Sequence, residues 1–312
     1  MYRPNKTQYS THSMRNQQEA PNMNPFIGKQ KLPLILTSNG KTGRRVAERF
    51  REQGLPFKEG SRNSEIPFDW YNSSTWEKAL QDVSSVYVVF YPDLAVPSAT
   101  SIIKEFTLIA KSSGVEHLVL LSGRGEEEAQ MCERIVMESG LDWTVVRASW
   151  FSQNFSESFF LESILQGQVV IPFGEVKEPF VDADDIADVV FAALTNDRHR
   201  GQLYEVTGPN LLSFRSVISY IAAASNRKIE FHQVSMDEYV EILTAAQVPQ
   251  DYISLLTYLF SEVLDGRNTY LTDGVDQALG RSPRSFASYI KNTAETGVWD
   301  VEQTENKLSS AG

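Results

Sequence analysis

Five residues, Leu32-Pro33-Leu34-Ile35-Leu36, give way to Thr37-Ser38-Asn39-Gly40-Lys41-Thr42-Gly43 and then to the helical pattern that starts at Arg44-Arg45-Val46. Strand, tight turn and helix in that order leave the helix N-terminus with unpaired N–H groups and a positive dipole end, where small residues let an anion approach. Gly40 and Gly43 give that access. A dinucleotide fingerprint has a further glycine at the strand end, and the position three before Gly40 is Thr37. Taken by itself, the turn reads equally as a cofactor loop and as an ordinary strand-to-helix connection.

Downstream, strands and helices alternate. Residues 56–60 and 66–70 read as second and third strands, and Ser74-Thr75-Trp76-Glu77 has capping-box spacing and opens a helix. Residues 83–90 form a continuous apolar run, the pattern of a strand covered on both faces. Helical periodicity over 98–113, a strand over 117–121, a helix over 126–139 closed by Gly140 and a strand over 142–148 follow. This is the signature of an α/β chain with a doubly wound parallel sheet. Beyond Ala148 the rhythm loosens into helices over 155–166 and 184–194 and strands over 168–172 and 202–206. Ser213 caps another helix, 228–234 is extended, Ser235-Met236-Asp237-Glu238 is a second capping box, and the last third is mostly helical. Residues 1–30 are polar, with Pro4, Pro21 and Pro25 interrupting any amphipathic helix, and read as a disordered extension rather than a transit peptide.

In open α/β sheets the ligand lies beyond the carboxyl ends of the strands. The first such end is the turn itself, Thr37, Asn39, Gly40, Lys41, Thr42 and Gly43, with Lys41 as a phosphate partner. The second is Ser61-Arg62. An acid near this strand end would bind ribose hydroxyls and an arginine a 2′-phosphate; Glu59 lies within the strand and Arg62 past it, which favours NADP over NAD. A plain surface arginine is the alternative. Third, Asp69-Trp70 could flank an adenine or be a turn acid beside a core tryptophan. Fourth, Tyr91-Pro92-Asp93 would pass the nicotinamide ribose or simply stop a strand. Fifth, Ser122-Gly123-Arg124-Gly125 brings a hydroxyl and a guanidinium to the cleft, while Glu126, Glu127 and Glu128 favour the helix dipole and read as solvated. The aromatic stretch from Arg147 through Trp150, Phe151 and Asn154 to Phe155 has the make-up of a small-molecule pocket. Phe155, Phe159 and Phe151 also suit a helix entrance packed by core aromatics.

A net charge of −11 argues against non-specific nucleic-acid binding and against anionic membranes. No apolar run reaches the roughly 18 residues of a membrane span. The lone Cys132 forms no internal disulfide, which fits a reducing, cytoplasmic setting. His12, His117, His199 and His232 are scattered without metal-ligand spacing, so no metal is expected, and no G-x-S-x-G elbow marks a hydrolase.

The turn at Gly40–Gly43, Phe68-Asp69-Trp70, the run from Leu120 to Gly125, Thr144 to Phe151, Pro179 to Ala187, Tyr204 to Pro209 and Ala278 to Arg284, in that order, resemble the NmrA-like atypical short-chain dehydrogenases/reductases. The likeness runs from about residue 32 to Trp299. It implies an NADP(H)-binding Rossmann core over 31–150 and, over 151–312, the remainder of the sheet interleaved with a smaller, largely helical substrate lobe. It further implies pyrophosphate at Gly40 and Gly43, a 2′-phosphate at Arg62, adenine beside Asp69, nicotinamide between Tyr91 and Ser122, and Trp150, Phe151 and Asn154 lining the cleft.

Two departures stand out. Thr37 replaces the family's first glycine, and no Tyr-x-x-x-Lys pair follows Ser122, which disfavours ordinary alcohol–ketone chemistry. The resulting expectation is an NADPH-dependent oxidoreductase on a small conjugated or aromatic electrophile (quinone, enone or imine), with Ser122, Tyr91 and Arg124 giving polar help. The alternatives are an NADP(H)-sensing regulator that binds a protein partner and a cyclase that uses the same cleft without redox chemistry.

Overall fold

A computed structural model describes residues 31–158 and 160–301. The expectations for the tail over 1–30 and for Phe159 fall outside those residues. In chain order the described strands are β1 (Leu32–Leu36), β2 (Lys58–Gly60), β3 (Val83–Val88), β4 (His117–Gly123), β5 (Asp142–Ala148), β6 (Gln168–Ile171), β7 (Lys177–Glu178), β8 (Gln202–Val206), β9 (Leu212–Ser213) and β10 (Glu230–Gln233). The helices are α1 (Lys41–Glu52), α2 (Trp76–Leu80), α3 (Ala99–Ser112), α4 (Glu127–Met137), α5 (Phe160–Gln166), α6 (Ala183–Thr195), α7 (Phe214–Ala224), α8 (Met236–Ala245), α9 (Gln250–Tyr258), α10 (Gly274–Leu279) and α11 (Phe286–Glu295). Among the described residues no helix is long and apolar enough to cross a membrane.

Six strands form one sheet in the order β2-β1-β3-β4-β5-β8, every pair parallel. This is the doubly wound sheet that the alternation predicts. Leu34, Leu36, Val86, Leu118 and Leu120 pack on one face with Ile103, Phe106, Cys132 and Val136 of α3 and α4. Ile35, Tyr87, Val119 and Val146 pack on the other with Val46, Phe50, Ile186 and Val190 of α1 and α6. Burial on both faces is why these strands read as continuous apolar runs. A third core, with Phe155, Phe180, Phe214, Phe260 and Trp299, holds the smaller C-terminal elements, where β6 pairs with β10 and β7 with β9.

The sequence signals hold at Ser213, which caps α7, and at Ser235 and Glu238, which form the capping box of α8. They fail in three places. Residues 66–70 are a loop, not a strand: Pro67 offers no N–H, and Phe68 and Trp70 pack their rings edge to face, 4.9 Å apart, in a cluster with Trp76 and Phe106. At 74–77 there is no capping box; Ser74 Oγ bonds Asn72 Oδ1 (2.6 Å) and a short 3₁₀ turn leads into α2. The helix expected over 155–166 is a 3₁₀ turn at Ser152–Phe155 followed by α5.

From β1 the chain goes to β2 on one side and β3 on the other, so the switch point of the sheet lies between β1 and β3. Thr37 spans it. Its backbone takes a left-handed φ of 52°, and its Oγ1 donates to Val89 O at 3.0 Å, just past β3. Trp70 Nε1 donates to the same carbonyl at 2.8 Å. Helix α1 then closes on the turn: a Cβ on Gly43 would lie 2.2 Å from Thr37 O, so only glycine fits there. Salt bridges clamp α1 to α6, with Arg49 holding Asp184 (2.6 Å) and Asp188 (2.9 Å). The fully buried Asp185 is satisfied by Arg281 (2.8 Å) and by the backbone N–H of Arg284 (2.7 Å), which explains the motifs 182–187 and 278–284 as structural fastenings.

A β-branched residue in the left-handed region costs about 1–2 kcal/mol, and a hydrogen bond returns about 1 kcal/mol. Thr37→Val keeps the strain and loses the bond, so it should destabilise by about 1 kcal/mol, whereas Thr37→Gly removes both and should unfold in urea close to the parent.

Candidate functional site

The cradle is assembled from the turn after β1. Gly40 N donates to Thr37 O (2.8 Å), and Gly40, the N-cap of α1, has no side-chain cap, so the N–H groups of the first turn face outward. Ser38 and Thr42 are buried within this turn, and Ser38 Oγ has no partner among the described residues. Asn39 Nδ2 reaches Ser61 Oγ (3.3 Å), tying the cradle to the loop that carries the exposed Arg62. Glu59 is ion-paired to Arg51 of α1. Arg62 has no ion pair among the described residues.

The next two ends give less. Asp69 Oδ1 accepts from Tyr71 N (3.0 Å) and closes its own turn. Trp70 is only 5% exposed and is ringed by Phe68, Phe90 and Phe106, so its ring belongs to the core and offers no face to an adenine. Tyr91, by contrast, is half exposed, and its hydroxyl meets that of Tyr252 on α9 at 2.6 Å, with Pro92 behind it.

Ser122 and Arg124 are both engaged by neighbouring side chains. Ser122 is buried and donates Oγ to Glu133 Oε1 (2.6 Å). Glu133 binds Arg147, which reaches Glu205 (3.3 Å), and Glu205 takes Arg124 Nε (2.9 Å). Arg124 also donates to Ser149 Oγ (3.0 Å) and Asn268 O (3.3 Å), with its guanidinium 4.4 Å from the Tyr270 ring centre. Both side chains are spent on a buried network that joins β4, β5, β8 and the 268–270 loop. Buried ions persist only when paired in this way, and both side chains already have structural partners behind the strand ends.

The acid group sits where the sequence reading saw only solvated helix-end charge. Glu126 is 8% exposed and lies flat on Gly123, where a Cβ would come within 2.1 Å of Glu126 Oε1. Its carboxyl hydrogen-bonds Asp93, and both carboxyls are pushed up, Glu126 by burial and then by the neighbouring Asp93 charge, Asp93 by burial. Two touching carboxyls, Glu126 buried and Asp93 half-buried, each favour the protonated form. Tyr258 of α9 stands beside them, donating to Glu128 (2.7 Å). Gly123 three residues before Glu126 was the one legible signal; nothing in the sequence pointed to Asp93 as its partner.

The aromatic segment splits. Phe155 is fully buried core, as its alternative reading had it. Trp150, half-buried, leans on Phe214 and Phe260. Phe151 and Asn154 turn toward α1: Lys41 Nζ donates to Asn154 Oδ1 (2.8 Å) and lies 5.9 Å from the Phe151 ring centre. Burial lowers the Lys41 pKa to about 8 against the pull of Glu157. One further acid lies apart: Glu178 on β7 is fully buried, neither oxygen has a partner among the described residues, and burial raises its pKa to about 8. No group of three or more His, Cys, Asp or Glu among the described residues is placed to hold a metal ion.

A six-stranded parallel sheet with a glycine turn at its switch point defines a Rossmann-type α/β protein. The chain belongs to the NmrA-like family, whose profile matches residues 35–293. It is 29% identical over 290 residues to festuclavine synthase II of Penicillium roqueforti, covering 85% of this chain and 99% of that one. It is 28% identical over 280 residues to the NAD(P)H azoreductase of Xenophilus azovorans, covering 83% and 96%. Its fold matches the NADPH complex of an NADPH-dependent quinone oxidoreductase from Escherichia coli with a TM-score of 0.72 at 16% identity, over 84% of this chain and 99% of the other.

Glu178 gives a pH signature. Its folded pKa of about 8 lies above the ordinary glutamate value of 4.5, so the native state binds more protons than the unfolded state between those values. The stability this group contributes is complete below the lower value and is lost as pH rises through the upper one. Glu178→Gln should match the parent in urea unfolding near pH 5 and exceed it near pH 9, by an amount on the order of 3 kcal/mol.

Proposed function

We propose that the chain is an NADPH-dependent oxidoreductase of a small conjugated or aromatic electrophile of quinone, enone or imine type. One observation carries the reading. At the uncapped N-terminus of α1, where Gly40 and Gly43 let a ligand touch the backbone, the mostly buried Lys41 has a neutral amide oxygen as partner and no carboxylate within ion-pair distance among the described residues. A helix N-terminus with such an ammonium suits a phosphate, and the orphaned Ser38 hydroxyl within the same turn fits that account. The redox reading is supported by the names borne by the azoreductase and quinone oxidoreductase relatives.

A dinucleotide laid across the switch point has its adenine half over β1 and β2 and its nicotinamide half over β3 and β4. Asn39, Ser61 and Arg62 then meet the adenosine ribose, and the ion pair of Glu59 with Arg51 withdraws the one acid that would repel a 2′-phosphate. When bound, NADPH supplies a hydride. Tyr91, Trp150 and Phe151 give an aromatic wall that orients a flat acceptor and excludes water. The proton shared by Asp93 and Glu126 takes the place assigned to Ser122 and Arg124, held at the Glu126 carboxyl on the nicotinamide side.

Titration with NADPH and NADH should show preference for NADPH. Arg62→Asp should weaken NADPH by on the order of 2 kcal/mol or more and leave NADH nearly unchanged, since a charge-assisted contact becomes a repulsion. Equal NADPH affinity in variant and parent would remove the 2′-phosphate assignment. NADPH oxidation should appear with at least one acceptor in a panel of quinones, enones and imines; tight binding without turnover on all of them would favour the sensing alternative.

A further inference from the structure

The three cations in the first turns of α1 are unequally matched. Glu157 lies 2.7 Å from Arg44 and 2.7 Å from Arg45, and Asp184 adds a contact of 3.4 Å to Arg45. Lys41 is left with Asn154. Asn154, for its part, makes no other side-chain hydrogen bond among the described residues, so its one polar engagement is to hold an ammonium that a phosphate would bind better. Phe151, three residues earlier on the same turn, faces the same ammonium. Lys41 thus joins the cradle to the substrate segment across 113 residues of chain.

We propose that Lys41 makes the substrate segment answer to the dinucleotide: its ammonium leaves Asn154 for the pyrophosphate, and the released Asn154 amide becomes a substrate contact beside Phe151. This rests on the dinucleotide reading given above. The direction of the exchange follows from charge, because an ammonium meets an ionised acceptor with full charge–charge attraction in addition to the hydrogen bond, whereas a neutral carbonyl offers only its dipole. Substrate binding is then conditional on cofactor, with Lys41 as the positioning residue.

The exchange also carries a proton. The groups that set the charge on Lys41 are Glu157, which favours the ammonium, and Arg45 and Arg44, which oppose it, and burial outweighs them all. A phosphate restores the ammonium, so binding in mildly alkaline solution takes up a proton, and affinity falls as pH rises through the ligand-free value.

The test is calorimetry of NADPH binding to the full chain near pH 8.5, in two buffers of different ionisation enthalpy, with the side-chain amide of Asn154 followed by NMR on adding NADP⁺. The wild type should take up roughly half a proton or more per dinucleotide, and the Asn154 amide signals should move. Lys41→Arg, which stays charged, should bind without proton uptake. Asn154→Asp, which gives Lys41 a fixed counter-ion, should lose about tenfold in NADPH affinity and also show no uptake. Equal uptake in wild type and Lys41→Arg, unmoved Asn154 signals, or undiminished affinity in Asn154→Asp would each overturn the inference while leaving dinucleotide binding intact. Failure of the wild type to bind NADPH at all would overturn the reading beneath it.

Discussion

The carbonyl of Val89 is the point on which the rest of the cleft depends. It accepts from Thr37 Oγ1 and Trp70 Nε1, so the loops after β1, β2 and β3 are tied to one atom. Each bond is modest in net free energy, about 1 kcal/mol, but together they fix where the two halves of the sheet part. A glycine at 37 would give the same turn with no strain and no tether. The threonine accepts backbone strain at the strand end and gains a cross-link at the switch point.

A second constraint decides what chemistry is left. Ser122, Glu133, Arg147, Glu205 and Arg124 form an unbroken chain of charge-assisted contacts behind the ends of β4, β5 and β8. It ties that rim together through its most obvious polar side chains. What remains beside that network is the carboxyl pair of Asp93 and Glu126, the phenols of Tyr91 and Tyr252, and the rings of Trp150 and Phe151. On the oxidoreductase reading proposed above, such a surface suits an acceptor that needs alignment and a proton more than one that needs an alkoxide stabilised.

The central strands β1, β3, β4 and β5 were legible because burial on both faces writes itself as apolar runs, and the edge strands β2 and β8, which are not such runs, lie within the ranges read for them. The loop over 66–70 misled because two rings dropped into one cluster imitate the period of a strand. The glycine turn was legible through backbone sterics, which local sequence reports. Partnership was not: whether Ser122 or Glu126 carries chemistry depends on Glu133 and Asp93, one set by helix geometry and the other brought in from 33 positions away. Lys41 was read as a phosphate partner, but its contact with Asn154 depends on how a turn beyond β5 folds back on α1.

Helix α9 touches this rim through phenol oxygens, Tyr252 on Tyr91 and Tyr258 on Glu128. Both are bonds that water can replace at a net cost of about 1 kcal/mol each, little more than thermal energy. The Val89 junction is half-buried, with the core ring of Trp70 supplying one of its two bonds. The cleft is therefore held on the α9 side by phenol contacts for which solvent competes, and at the switch point by two bonds to a single carbonyl.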